Sequence, residues 1–154
     1  MAKVATGGTF AVIHVGHRAL FAKCVELGLP ITVGVTSQPL TPRYHLVPPY
    51  DRRKRSVERY FLNEFKVEVN VVELLDHAGP VAYDPDYTHL VTSEENVPYA
   101  CSVSQERERN GLPTLEIVVV PNVNAYDGRP VSTTRIFNGE IDVTGEPTSS
   151  REAV

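Results

Sequence analysis

The sequence lacks the features that mark several classes of protein. No apolar run approaches the roughly 20 residues that a membrane-spanning helix needs, so we expect no membrane association. No long basic run occurs and the formal net charge is −4, which argues against wholesale nucleic-acid binding. The only cysteines are Cys24 and Cys101. In a reducing compartment we expect both to be packing residues rather than a disulfide or a metal pair.

The sequence also shows no targeting segment and no internal repeat. Residues 1–8 contain no long apolar segment of the signal-peptide kind, so we expect a cytoplasmic location. The length of 154 residues suits one domain with a real core, either a monomer or a small homo-oligomer. We expect this domain to occupy residues 1–143, and residues 144–154 to form a polar, frayed tail.

What the sequence does contain is an alternation of short apolar runs and helical patterns. The last of the apolar runs is the clearest candidate for a buried strand; the runs are residues 3–6, 31–35, 66–74, 89–92 and 115–120. The predicted helix starts are Val15, Asp51 as a capping residue, Pro98 and Ser132, and Gly28 is predicted to end the first helix. This alternation predicts an α/β fold, a Rossmann-like parallel sheet of about five strands with helices on both faces.

Polar residues follow several of the predicted strands. Ligands of such sheets bind outside the carboxyl ends of the strands, so topology brings these residues to one edge. The polar groups are Thr9, His14 and His17; Thr36 and Ser37; residues 93–96; and residues 132–135.

The stretch GGTFAVIHVGH at residues 7–17 occupies the first of these turns. Its glycines allow backbone to approach a ligand closely, and Gly16 leaves room between the histidines for a phosphate. The free N–H groups of a helix that begins near Val15 favour an anion. His14 and His17 are three residues apart, so they face the same way and can donate hydrogen bonds to a charged oxygen. The stretch is not a P-loop, because no Gly-Lys-Ser/Thr follows.

Two other interpretations of the histidine pair remain open from the residues alone. The pair resembles half of a zinc site, although no His-Glu-x-x-His pattern or Cys/His cluster completes it, and the other histidines, His45, His77 and His89, are isolated. The pair is also compatible with surface histidines in a helix-capping loop, an interpretation that the neighbouring Gly-Gly-Thr-Phe makes weaker.

Two stretches at opposite ends of the chain together resemble a known superfamily. GGTF…HVGH resembles the GGTFDxxHxGH signature of the nucleotidyltransferases, and VSTTRIFNGEID resembles their Ile-Ser-Ser/Thr-Thr-Arg signature. Between them, GVTSQ, PYDRRKRSVERYF, LVTSEEN and ERERNGLPTLEIVVVP resemble the archaeal and eukaryotic type of phosphopantetheine adenylyltransferase. The resemblance extends from about Lys3 to Asp142. It implies the nucleotidyltransferase fold and adenylyl transfer from ATP to 4′-phosphopantetheine, which yields dephospho-coenzyme A and pyrophosphate.

The resemblance also implies site residues. The residues expected to be catalytic are Thr9, His14, His17 and Arg135. The residues expected to bind nucleotide or phosphate are Gly8, Thr9, Phe10, His17, Arg43, Ser93, Glu94, Glu95, Ser132, Thr133 and Thr134. In this scheme His17 stabilises the pentavalent α-phosphate, residues 132–134 bind the β- and γ-phosphates, and residues 93–95 lie by the adenosine.

Basic residues have less definite places in this scheme. Arg43 is the first candidate to bridge the two substrates, with Arg52 and Lys54 as alternates. Arg135 is expected to add a fixed positive fork at the phosphates, although it also reads as a surface arginine. A magnesium ion is expected to accompany ATP, held mainly by phosphate oxygens and water, with no metal site made by the protein itself.

The chain departs from the superfamily pattern at two positions. Ala11 stands where the signature has aspartate, and Asn96 replaces the usual threonine after Ser-Glu-Glu. Both histidines remain, so an active enzyme is expected, with metal handling and nucleotide choice affected. The alternatives are another nucleotidyltransferase, either a cytidylyltransferase or an FAD synthetase, and a nucleotide-binding regulator that has lost catalysis, as the missing aspartate suggests.

Overall fold

Five parallel strands and four helices form the structure, a computed structural model that describes residues 2–38, 47–76 and 79–148. The strands are β1 (Lys3–Gly8), β2 (Ile31–Thr36), β3 (Asn70–Leu74), β4 (Tyr87–Ser93) and β5 (Glu116–Val120). The helices are α1 (Val15–Glu26), α2 (Tyr50–Phe65), α3 (Val97–Arg109) and α4 (Thr133–Phe137). The strand order is β3-β2-β1-β4-β5 and every pairing is parallel, which confirms the predicted α/β fold.

Both faces of the sheet are covered, because successive residues of the central strands enter different cores. Val4 of β1 packs with α1 and α2 on one face, in a cluster that includes Phe21 and Phe61. Its neighbour Ala5 packs on the other face, in a cluster that includes Val103 of α3. A fully buried side chain such as Val4 or Phe21 contributes about 1.5–3 kcal/mol to folding.

Helix α1 begins and ends where the sequence predicts. It starts at Val15, and Gly28 beyond its end has the left-handed φ of +70° that favours glycine. Of the two cysteines, Cys24 is buried in α1 as expected. Cys101 is exposed on α3, so the expectation that it is a packing residue is wrong. Within the described ranges, no helix combines the length and the apolar character that a membrane crossing requires.

Helix α2 and strand β3 differ from the prediction at their boundaries. Asp51 is not the capping residue: α2 begins at Tyr50, Pro49 precedes it, and Asp51 lies within the first turn. At the other end Lys66 adopts a left-handed φ of 59° to terminate α2. The predicted strand therefore loses residues 66–69 and starts at Asn70.

The run LEIVVV is the clearest candidate for a buried strand in the sequence, but β5, which it forms, is only partly buried. It forms one edge of the sheet, and Val119 is 44% exposed. The fully covered strand is β2, in which every residue is buried.

The first part of the predicted tail is folded rather than frayed. The Asp142 carboxylate accepts the backbone N–H groups of Thr144 and Glu146 and so closes a turn. The Tyr126 N–H donates to the Gly145 carbonyl. The expectation of a frayed end is therefore wrong for residues 144–148, and residues 149–154 lie outside the described part of the chain.

Candidate active site

A cavity of about 510 Å³ opens at the carboxyl edge of the sheet. Its lining includes residues at the ends of all five strands, as expected for a ligand site in a parallel α/β sheet. The predicted site residues that line this cavity are Gly8, Thr9, Phe10, His14, His17, Ser93, Glu95, Ser132, Thr133 and Thr134. Glu94 and Arg135 do not line it, and Arg43 lies outside the described residues.

The two sequence stretches from opposite ends of the chain meet at this cavity. The Val15 N–H at the start of α1 donates to the Val143 carbonyl at 2.9 Å. Val15 and Ile136 of α4 also pack against a small core formed by Ala125, Val131 and Ile141. The first turns of α1 and α4 are thereby fixed beside each other, with both contributing residues to one cavity.

The two histidines are held by the start of their own helix. His14 Nδ1 accepts the Gly16 N–H at 3.0 Å, and His17 Nδ1 accepts the His14 N–H at 3.4 Å. These bonds satisfy N–H groups that have no partner inside the helix. A neutral imidazole that accepts through Nδ1 carries its proton on Nε2. From these contacts we assign the ring proton of each histidine to Nε2.

Burial keeps both rings uncharged. It lowers the pKa of His14 to about 4, with nearby Arg18 acting in the same direction. It lowers the pKa of His17 to about 3; His14 adds to this effect, and a hydrogen bond with the Val12 backbone opposes it. At neutral pH the pair consequently offers neutral donors rather than positive charges.

Phe10 supports the histidines from the core side. Its φ of +52° is uncommon for a residue other than glycine, and such strain is concentrated at functional turns. The turn directs the ring inward: Phe10 is 3% exposed and packs edge-on against His17, with 4.9 Å between ring centroids. Its predicted contact with phosphate is thus restricted to backbone, while the side chain braces His17.

The glycines of this stretch make room for aromatic rings. A Cβ atom on Gly8 would lie 3.0 Å from the Phe10 ring, and one on Gly16 would lie 2.8 Å from His14 Cε1. The sequence predicts that Gly16 keeps space open for a phosphate. In the structure Gly16 lines the cavity, and the His14 ring occupies the place of its missing side chain, so this glycine also makes room for that ring.

The residues of the Ser-Glu-Glu turn after β4, residues 93–95, have different roles. Glu94 accepts the Asn122 N–H at 2.7 Å and so ties the exit of β4 to the exit of β5, which corrects its predicted place by the adenosine. Ser93 and Glu95 do line the cavity. The Ser93 hydroxyl is buried and has no hydrogen-bond partner among the described residues, which leaves it available to a ligand.

The predicted phosphate contact of Arg135 is also corrected by the structure. Its guanidinium is committed to the protein: it donates to Asp127 at 2.6 Å and to Glu140 at 3.1 Å. It also donates to the carbonyls of Arg129 and Pro130. The residue therefore fixes the loop before α4 instead of contacting phosphate. It is only 8% exposed, so it is not a surface arginine either.

Arg53 is the residue that the sequence interpretation missed. The predicted alternates Arg52 and Lys54 flank it, and neither lines the cavity. Arg53 is 2% exposed and donates to four backbone carbonyls, two of which belong to the cavity-lining residues Thr9 and Thr36. A signal for it existed, because Arg53 shares the buried face of α2 with Val57 and Phe61 at intervals of four residues.

The described lining contains few charged groups. It includes no lysine or arginine, and Glu95 is its only carboxylate. No group of three or more histidine, cysteine, aspartate or glutamate side chains is placed to hold a metal within the described ranges. Ala11 lines the cavity at the position of the signature aspartate.

The family is shown by comparison with known proteins. The cytidylyltransferase-like family model matches residues 5–139. The chain belongs to this family. A phosphopantetheine adenylyltransferase of Archaeoglobus fulgidus is 39% identical over 145 residues, which are 93% of this chain and 97% of that protein.

A bifunctional phosphopantetheine adenylyltransferase/NTP phosphatase of Thermoplasma volcanium is also 39% identical, over 90% of this chain. The chain spans only 43% of that protein's length. Among solved structures, a protein of unknown function from Archaeoglobus fulgidus has a TM-score of 0.71 and 35% identity, covering 77% of this chain and 88% of that one. These relatives confirm the resemblance seen in the sequence.

Proposed function

We propose that this chain transfers the adenylyl group of ATP to 4′-phosphopantetheine, which yields dephospho-coenzyme A and pyrophosphate in coenzyme A biosynthesis. The observation that carries the proposal is the meeting of His14 and His17 with residues 132–134 around one cavity. Relatives named for this activity, 35–39% identical over most of the chain, support the choice of substrates.

The reaction needs no nucleophile from the protein. An oxygen of the 4′-phosphate attacks the α-phosphorus of ATP, and a new P–O bond forms in line with the bond that breaks. The bond that breaks joins the α-phosphorus to the α,β-bridging oxygen, and pyrophosphate leaves with the electron pair of that bond. The protein contributes by positioning the two phosphates and by stabilising the charge on the oxygens around the α-phosphorus.

Neutral donors perform this stabilisation in the proposed scheme. His17, and His14 beside it, donate from Nε2 to α-phosphate oxygens, and their donor direction is fixed by the bonds at Nδ1. Residues 132–134 bind the β- and γ-phosphates, and Ser93 and Glu95 lie by the nucleoside. ATP enters as its magnesium complex, whose reduced charge matches the shortage of cations in the described lining.

The apolar side of the cavity offers a place for the pantetheine arm. Val72, Leu74, Val81 and Val103 are among its lining residues and belong to β3, to the segment before β4 and to α3. An uncharged chain with two amides suits such a surface better than a nucleotide does.

The test is an acceptor panel. The protein is incubated with magnesium, ATP and 4′-phosphopantetheine, and both pyrophosphate and dephospho-coenzyme A are measured. Parallel reactions contain ATP with riboflavin phosphate, or CTP with choline phosphate. Turnover with 4′-phosphopantetheine alone is the expected result. Turnover in a parallel reaction instead would identify an FAD synthetase or a cytidylyltransferase, and tight ATP binding without turnover would identify a regulator.

A further inference from the structure

Arg53 joins three segments that surround the cavity. In the first turn of α2, its Nε donates to the Pro48 carbonyl at 2.7 Å. Its Nη1 donates to the carbonyls of Thr9 at 2.9 Å and Thr36 at 2.7 Å, and Nη2 donates to Ser37 at 3.0 Å. The carbonyls belong to the turn after β1, the end of β2 and the approach to α2. One rigid, charged fork therefore sets the spacing of these segments.

The two threonines that share Nη1 also contact each other. The Thr36 hydroxyl donates to Thr9 Oγ1 at 3.0 Å, so the Thr9 proton is left for another acceptor. Both threonines line the cavity, whereas Arg53 does not. Arg53 consequently reaches the ligand only through them. The turn it holds includes Phe10, whose positive φ requires support from its surroundings.

We propose that Arg53 is a positioning residue for adenylyl transfer: its bonds to the Thr9 and Thr36 carbonyls place the Thr9 hydroxyl against the transferred phosphate. This inference rests on the proposed function for the reaction that it assists. A displacement of about 1 Å at such a group costs on the order of 100-fold in rate, so loss of the fork should appear in kcat.

The chain contains a matched control in Arg107 of α3. Arg107 is fully buried and also donates to four backbone carbonyls. Two of its acceptors, Asp84 and Tyr87, lie at the amino end of β4, the opposite edge of the sheet from the threonines. A third acceptor, Val81, lines the cavity on the side proposed for the pantetheine arm, not at the phosphate-binding turns. Removal of either guanidinium leaves buried carbonyls without donors, so both substitutions should destabilise the fold. Only the Arg53 substitution should lower kcat, whereas any functional effect of the Arg107 substitution should be confined to the KM for 4′-phosphopantetheine.

The experiment compares Arg53→Lys with Arg107→Lys. Denaturant unfolding measures stability, and pyrophosphate release measures kcat and KM for ATP and for 4′-phosphopantetheine. We expect comparable losses of stability in the two variants. We expect kcat to fall about 10- to 100-fold in Arg53→Lys and less than about threefold in Arg107→Lys. Equal values of kcat in the two variants would overturn the proposal.

A double-mutant cycle with Thr9→Ala tests whether Arg53 acts through Thr9. Once the hydroxyl is gone, Arg53→Lys should lower kcat by less than about threefold, whereas the effects of Thr9→Ala and Arg107→Lys should multiply. Multiplying effects of Thr9→Ala and Arg53→Lys would contradict the proposal. If Arg53→Lys does not fold, Arg53→Met replaces it in the cycle, because methionine fills part of the buried volume and removes the guanidinium without leaving a buried charge. Independent effects of Arg53→Met and Thr9→Ala would then contradict it.

The two proposals fail differently. A wild-type protein without turnover contradicts the proposed function alone. The Arg53 comparison is then made on ATP binding by calorimetry, where Arg53→Lys should weaken binding at least tenfold more than Arg107→Lys. Equal weakening in the two variants would overturn the role of Arg53.

Discussion

His14 and His17 stack on each other, with ring centroids 3.8 Å apart and ring planes inclined by 17°. Each ring accepts a backbone N–H through Nδ1, so the helix start fixes the tautomer as well as the orientation. The contacts that cap the start of α1 therefore also orient both Nε2 atoms for donation to a phosphate. Stability and chemistry share these contacts, and the predictions below separate them.

His17 variants should distinguish the two ring nitrogens. A glutamine amide reaches the Nε2 position, whereas an asparagine amide reaches only the Nδ1 position. We expect His17→Ala to lower kcat by about 10²–10³-fold with little change in ATP affinity, and His17→Gln to retain more activity than His17→Asn. Steady-state pyrophosphate release measures both parameters. His89→Gln is the control, since His89 pairs with Glu116 and does not line the cavity. Higher kcat in the asparagine variant would contradict the Nε2 assignment.

Stability should fall in mild acid because His14 and His17 are both buried as neutral rings with lowered pKa values, and the share of His14 can be measured separately. The folded pKa of His14, about 4, is below the ordinary value of 6.5, so between these values the unfolded chain binds a proton that the folded chain excludes. The contribution is complete above pH 6.5 and is lost as the pH falls towards 4. We expect a slope of about 1 kcal/mol per pH unit near pH 5.5 from this residue. Urea unfolding of wild type and His14→Gln at pH 7.5, 6 and 5 measures it, and identical pH slopes in the two proteins would show that His14 is not buried neutral.

Gly16→Ala should impair activity despite a better helix former. In an exposed helix alanine is favoured over glycine by roughly 1 kcal/mol. Here the new Cβ would lie 2.8 Å from His14 Cε1, so the ring must move from its stack. We expect kcat to fall about tenfold or more, without a matching loss of stability. Gly111→Ala provides the opposite pattern, because its φ of +73° penalises alanine while no atom lies within 4 Å. An unchanged kcat in Gly16→Ala would mean that His14 is not held in this position.

Arg135 should be a structural residue. Arg135→Lys removes the fork that joins Asp127 to Glu140, so we expect a lower unfolding temperature and an unchanged KM for ATP where the variant is folded. Asp127→Asn should produce the same pattern, since it removes the partner. Thermal unfolding and ATP titration measure the two quantities. A tenfold weaker interaction with ATP at undiminished stability would instead restore the phosphate contact that the sequence suggests.

The fold was readable from the sequence where local pattern decides the outcome. The alternation of apolar runs and helical spacing gives the parallel sheet, and the predicted helix starts at Val15 and Ser132 agree with α1 and α4, whereas the predicted cap at Asp51 is wrong. The errors occur where neighbours decide. A run such as LEIVVV reports hydrophobicity, but only the strand order makes β5 an edge, and that order depends on contacts far apart in the chain.

The site residues, too, could be predicted where local spacing decides and not where packing against distant residues decides. The histidines, hydroxyl residues and glycines that line the cavity could be predicted because they stand at characteristic spacings in two short stretches of sequence. Arg53 was missed because it stands among Arg52, Lys54 and Arg55, where charge suggests a solvated helix face. Which arginine is buried depends on the rotation of α2 against the sheet. The interval of four residues from Arg53 to Val57 encodes that rotation, although hydrophobic patterning alone assigns an arginine to the outside.

The account depends most on both ends of the chain binding one triphosphate. A crystal structure with magnesium and a non-hydrolysable α,β-methylene analogue of ATP tests this directly. We expect an α-phosphate oxygen within hydrogen-bond distance of His17 Nε2, and the β- and γ-phosphates in contact with residues 132–134. A triphosphate that contacts only one of these groups, or that binds outside the cavity, would contradict the proposed adenylyl transfer.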